Sequence, residues 1–237
     1  MISVERLLKD LSNKERAKVS ASFFKTGKGE YGEGDVFFGV TVPQVRKLIK
    51  EELSKVTLND LLLLLKNKYH EVRLFACISF VELMKNAIKE KNEKKQKAIF
   101  DLYIKNLNRI NNWDLVDTSC RDIVGYYLYN KNRDLLYKLA KSDNLWERRV
   151  AIVSTWYFIK NKEYEDTFSL CELLINDKED LMHKACGWML REVGKYCGLN
   201  ILNIFLEKNA DKMPRTALRY SLERHNHLKR EYFLKIK

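Results

Sequence analysis

The chain has 237 residues, and 44 Lys+Arg against 32 Asp+Glu leave a formal net charge of +12. Hydrophobic residues at 46% suffice for a buried core and argue against disorder, while two prolines and nine glycines are too few for a turn-dense all-β protein. No apolar run reaches the length of a membrane span, and Met1 to Lys18 carries charges at short intervals with no apolar signal core. The positive surplus has two readings at this point. It draws a protein to polyanions such as nucleic acid, anionic membrane or ribosomes, and it is also what a lysine-rich, AT-rich genome produces.

In chain order, Ala17 to Lys25 reads as helix, and Thr26 to Val42 reads as the one non-helical region. That region holds Gly27, Gly29, Gly32, Gly34 and Gly39 and contains a formal G-x-G-x-x-G from Gly27 to Gly32. A phosphate-cradling fingerprint requires a strand before it and a helix after it, and the helical flank before Gly27 does not supply the strand. Pro43 suits the first turn of a following helix through Arg46 and Leu48. Beyond residue 40 nearly everything reads as helix. Apolar residues recur at three and four positions, as in Val72, Phe75, Ala76, Ser79, Phe80 and Leu83, and again in Leu181, Ala185, Trp188 and Met189. Asn59-Asp60, Asn130 to Asn132, Ser142 to Asn144 and Asn176-Asp177 punctuate these helices. Lys89 to Lys97 reads as a solvated, charged connection or helix end.

A faint repeat runs through the helical region. Glu71 to Ala76, Trp146 to Ala151 and Leu181 to Ala185 resemble one another, and their alanines lie 75 and 34 positions apart. Halving the larger gap leads to Asn111 to Asp117. Helix pairs at this period indicate a HEAT-, armadillo- or TPR-like stack with a concave face, built as a single domain over residues 1–237. The five cysteines, Cys77, Cys120, Cys171, Cys186 and Cys197, form no C-x-x-C pair and are odd in number, which indicates a reducing, cytoplasmic setting without disulfides or a zinc site. His225-x-His227 with Glu223 lacks a third metal ligand and reads as solvated surface.

Trp113 and Asp117 lie four apart and share a helix face. Arg149 follows Trp146 in the next repeat, and Trp188 lies in the one after. A carboxylate stabilises developing positive charge, and indole faces attract cations and C–H groups. Spacing alone favours a core role for the tryptophans and a capping or ion-pairing role for Asp117.

Phe24 to Val40 with Pro43 resembles the N-terminal motif of the AlkD-type DNA alkylation repair family. Asn112-Trp-Asp-Leu-Val-Asp117 resembles its central motif, Trp146-Glu-Arg-Arg149 its W-x-x-R motif, Lys184 to Glu192 the one after, and Met213 to Tyr220 its C-terminal motif. The matches stand in order over nearly the whole chain. The resemblance implies an all-α, HEAT-like solenoid gripping duplex DNA in a basic concave face. It also implies a glycosylase for N3- and N7-alkylpurines that works without base flipping, metal or cofactor, as a cytoplasmic, nucleoid-associated monomer. Asp117 would be its catalytic carboxylate, Trp113 and Trp188 its sugar-contacting indoles, and Arg149 its active-site arginine, with Arg148 the neighbour most easily confused with it. Tyr31, Arg148, Lys184, Arg191, Arg215 and Arg219 are the remaining expected DNA contacts. Two rivals stand beside this reading: a non-catalytic helical-repeat scaffold for protein or nucleic acid, and a nucleotide-dependent enzyme using Gly27 to Gly34.

Overall fold

Regularly spaced apolar residues and the scarcity of proline give helix after helix in the computed structural model, which describes residues 4–236. No strand occurs among the described residues; an isolated parallel bridge joins Val36 to Tyr69. The chain divides into two compact units, the first ending at Ser119 and the second beginning at Cys120.

The first unit contains α1 (Val4–Asp10), α2 (Lys14–Phe23), α3 (Val42–Glu52), α4 (Leu58–Leu64), α5 (His70–Lys89), α6 (Glu93–Lys105) and α7 (Trp113–Cys120). Its centre is α5, along which Val72, Leu74, Phe75, Ala76, Phe80, Val81 and Met84 are all buried. A helix apolar on this many sides needs neighbours around it, and α1, α3, α4 and α6 pack against it. Between α2 and α3 the glycine-rich segment is a loop, as its composition predicts. Gly39 has φ +79°, and a Cβ there would collide with the backbone carbonyl of Asn13. Only glycine meets both demands. Pro43 lies in the first turn of α3, and Thr41 with Gln44 forms a capping box there. Among the described residues no strand precedes Gly27, so the loop lacks the context of a dinucleotide fingerprint.

The second unit opens with a π-helical turn, Arg121–Gly125. It continues through α8 (Tyr126–Leu128), α9 (Asp134–Ala140), α10 (Leu145–Ser154), α11 (Trp156–Lys160), α12 (Glu165–Leu173), α13 (Asp180–Tyr196), α14 (Leu199–Asn209), α15 (Arg215–Ser221) and α16 (His227–Lys235). Here α10 and α13 are the central helices: α10 packs on α9 and α13, and α13 on α14 and α15.

All four repeat segments stand at the start of a helix, α5, α7, α10 and α13. Two carry an equivalent arginine three residues before the alanine. Arg73 Nη1 donates to the carbonyls of Asn67 and Lys68 at 3.0 and 3.2 Å, and Arg148 Nη1 to those of Ser142 and Asp143 at 3.0 and 2.9 Å. Each guanidinium also meets a buried aspartate, Asp35 and Asp177 respectively. The same side chain thus ties down the loop that enters each helix. Four of the five cysteines are buried, and burial pushes the Cys77 thiol up to about 12, which leaves it an inert core group.

Candidate functional site

In the first unit, Trp113 is the first residue of α7 and Asp117 follows one turn later; both are half-buried. The residues between them, Asp114, Leu115 and Val116, are buried. The Trp113 indole stacks on Phe24, with centroids 5.1 Å apart and 18° between planes, and meets Phe23 edge-on at 5.8 Å. Phe24 stacks in turn on Phe37 at 5.2 Å, and Phe37 on the His70 ring at 4.7 Å. The glycine-rich loop therefore supplies the aromatic wall against which this tryptophan is set.

Beneath that wall lies a buried ionic cluster. His70 bridges two carboxylates, Nδ1 to Asp35 at 3.0 Å and Nε2 to Asp114 at 2.8 Å. Asp35 also accepts from Arg73 and from Asn112 Nδ2 at 3.0 Å. Burial alone would lower the pKa of His70, but the carboxylates of Asp114 and Asp35 overturn that and hold it at about 9, so the ring is an imidazolium at neutral pH. Burial would likewise raise that of Asp35, and His70, Arg73 and Asn112 together hold it below its ordinary value. Asp114 is taken up by His70 and by the Leu115 N–H at 2.8 Å. Glu71 accepts from the backbone N–H groups of Phe38, Gly39 and Val40 at 3.0, 2.8 and 3.1 Å, which fixes the end of the loop onto α5. A cleft of about 330 Å³ opens beside the cluster, lined by Val19, Phe24, Phe37, Val42, Leu74 and His70 among others. Tyr31 is half-buried, its hydroxyl 3.4 Å from the Phe23 carbonyl.

In the second unit, Arg149 on α10 is buried and donates from Nη1 to the Leu181 carbonyl at 2.6 Å. Arg148 points elsewhere, because neighbours on a helix are turned by roughly 100°. Its Nε and Nη2 grip Asp177 at 2.6 and 3.2 Å, and it is the loop clamp described above. Trp188 on α13 is half-buried, with the Arg121 guanidinium 5.9 Å from its ring centroid. Lys184 pairs with Asp180 at 2.7 Å, which holds that carboxyl below its ordinary value. Arg191 pairs with Glu223 and Glu192, Arg215 Nη2 donates to the Leu234 carbonyl at 2.8 Å, and Arg219 is exposed on α15. No group of three or more His, Cys, Asp or Glu that could hold a metal ion occurs among the described residues. No helix among them is long and apolar enough to cross a membrane.

Motif reasoning assigned no role to Asp35, His70, Arg73, Asp114 or Arg121. The first four lie up to 79 positions apart, and only the repeat equivalence of Arg73 and Arg148 was a signal within the sequence.

A helical chain with an indole and a carboxylate one turn apart, walled by a glycine-rich aromatic loop, has the build of a helical-repeat protein. Residues 4–225 match the model of a family described as DNA alkylation repair enzyme. The chain belongs to that family. Among solved structures it is similar to a predicted DNA alkylation repair enzyme from Enterococcus faecalis, with a TM-score of 0.68 over 91% of this chain and 97% of that one. Identity there is 17%, so the likeness is one of fold. No curated protein matches the chain.

Proposed function

We propose that the chain is a DNA glycosylase that removes cationic N3- and N7-alkylated purines from duplex DNA, without flipping the base, and so initiates base excision repair. The observation that carries the reading is the pairing of Trp113 with Asp117 on one face of α7, half-buried, in a chain that matches the repair family over residues 4–225.

Alkylation at N3 or N7 leaves the purine cationic, so it departs as a neutral base. The glycosidic bond breaks with both electrons going to the base, and positive charge builds on the deoxyribose. The Asp117 carboxylate stabilises that oxocarbenium-like sugar and orients the water that attacks it, an electrostatic role that strengthens as the site is desolvated. The Trp113 indole, held in place by Phe24, packs against the sugar and adds cation–π attraction, and Trp188 has the same part. Arg149 holds the phosphate beside the lesion; its guanidinium fork suits phosphate. Tyr31, Lys184, Arg191, Arg215 and Arg219 are the further backbone contacts of this reading. Arg148, gripped by Asp177, serves the fold.

The test is release of free base from methylated duplex DNA by the purified protein. 7-Methylguanine and 3-methyladenine should be released, and a neutral lesion such as O6-methylguanine should stay. Release of none of these bases, with DNA binding intact, would leave the scaffold reading in its place.

A further inference from the structure

The cations that the motifs single out as DNA contacts are largely occupied within the fold: Arg148 by Asp177, Lys184 by Asp180, and Arg191 by Glu223. Arg121 is different. It is half-buried at the start of the π-helical turn, its guanidinium carbon 4.8 Å from the Trp156 ring centroid and 5.9 Å from that of Trp188. Among the described residues no carboxylate pairs with it, and its Nε is buried with no hydrogen-bond acceptor. A half-buried cation without a counter-charge is costly, and buried polar groups almost always have partners. Two indole faces orient a guanidinium but accept none of its five N–H bonds in the plane.

The surroundings extend the pattern. Lys160 Nζ lies 5.4 Å from the Trp156 ring centroid, Trp156 meets Tyr196 edge-on at 6.2 Å, and Lys195 Nζ lies 4.6 Å from the Tyr196 ring. Glu192 is shared between Arg191 and Lys195. Alternating cations and half-buried rings suit a sugar–phosphate chain, with phosphates on the cations and sugars or bases on the rings. π-Helical turns of this kind recur at functional sites.

We propose that Arg121, held between Trp156 and Trp188, is a phosphate-binding residue that takes a backbone phosphodiester of duplex DNA as its missing counter-charge. This rests on the DNA reading above. Two adjacent guanidinium N–H groups present the fork that matches two phosphodiester oxygens, and the indoles fix its plane before the nucleic acid arrives.

The experiment is equilibrium binding of the full chain to an undamaged, fluorescently labelled duplex over a range of salt concentrations. Arg121→Met keeps the packing on the indoles and removes the charge. It should reduce the slope of log K against log salt by about 0.9, the share of one phosphate contact, so that variant and wild type converge as salt rises. A steep wild-type slope that Arg121→Met leaves unchanged overturns the assignment and spares the DNA reading. A wild type that does not bind DNA overturns both. Should Arg121→Met fail to fold, the Arg121 Nε–H resonance of the wild type decides. It should shift on saturation with duplex, and an unmoved resonance overturns the assignment.

Discussion

Raising the pH should unlock the buried cluster that joins the loop before α3 to the starts of α5 and α7. His70 is almost wholly buried and bonded to Asp35 and Asp114, with a pKa raised from 6.5 to about 9. A folded-state value above the unfolded one means that folding holds the proton. Its stabilisation is therefore complete below pH 6.5 and disappears as pH climbs through about 9. At about 1.4 kcal/mol per pH unit, the gap corresponds to about 3 kcal/mol. Denaturant unfolding between pH 6 and 9.5 should show that loss in the wild type. His70→Gln should be destabilised by a similar amount at pH 6 and lose little more on going to 9.5. Parallel pH profiles for the two proteins would refute the argument, because the imidazolium could not then be the source of the slope.

Other changes separate parts that hold the fold from parts that act. Gly39→Ala forces a side chain into a positive-φ position against the Asn13 carbonyl and should cost at least about 2 kcal/mol in denaturant unfolding. Arg148→Met leaves Asp177 buried and unpaired, which should cost about 3 kcal/mol while the salt slope of DNA binding stays as in the wild type. Lowering the pH should also destabilise the first unit, since Asp35 has a depressed pKa. Its contribution is present above the unfolded value of 3.8 and is lost as pH falls through the folded one, and Asp35→Asn should flatten this acid limb.

The helices were legible because their apolar residues recur at helical spacing and their starts carry capping residues such as Asn144. The repeat was legible as well: the three segments matched by resemblance and the fourth found by halving the larger gap all open a helix. The division of labour between Arg148 and Arg149 was hidden. Adjacent residues on a helix face different ways, and nothing local says which one meets the entering loop. The His70 cluster was hidden for another reason. Asp35, His70 and Asp114 come from a loop and two helices, with no residue spacing to connect them. Arg121 gave no signal, since a π-helical turn has no sequence period and the two indoles around it arrive from α11 and α13. Tertiary packing decides such sites, and local pattern reaches only the elements that carry them.

The most direct test of the account compares wild type with Asp117→Asn in single-turnover release of 7-methylguanine from duplex DNA, at protein concentrations that saturate binding. Asn fills the same space without the charge that stabilises the oxocarbenium-like sugar. The rate should fall at least about 100-fold, a typical cost of removing one electrostatic catalytic group, while DNA affinity stays close to wild type. Release at the wild-type rate by the Asn variant would contradict the central claim.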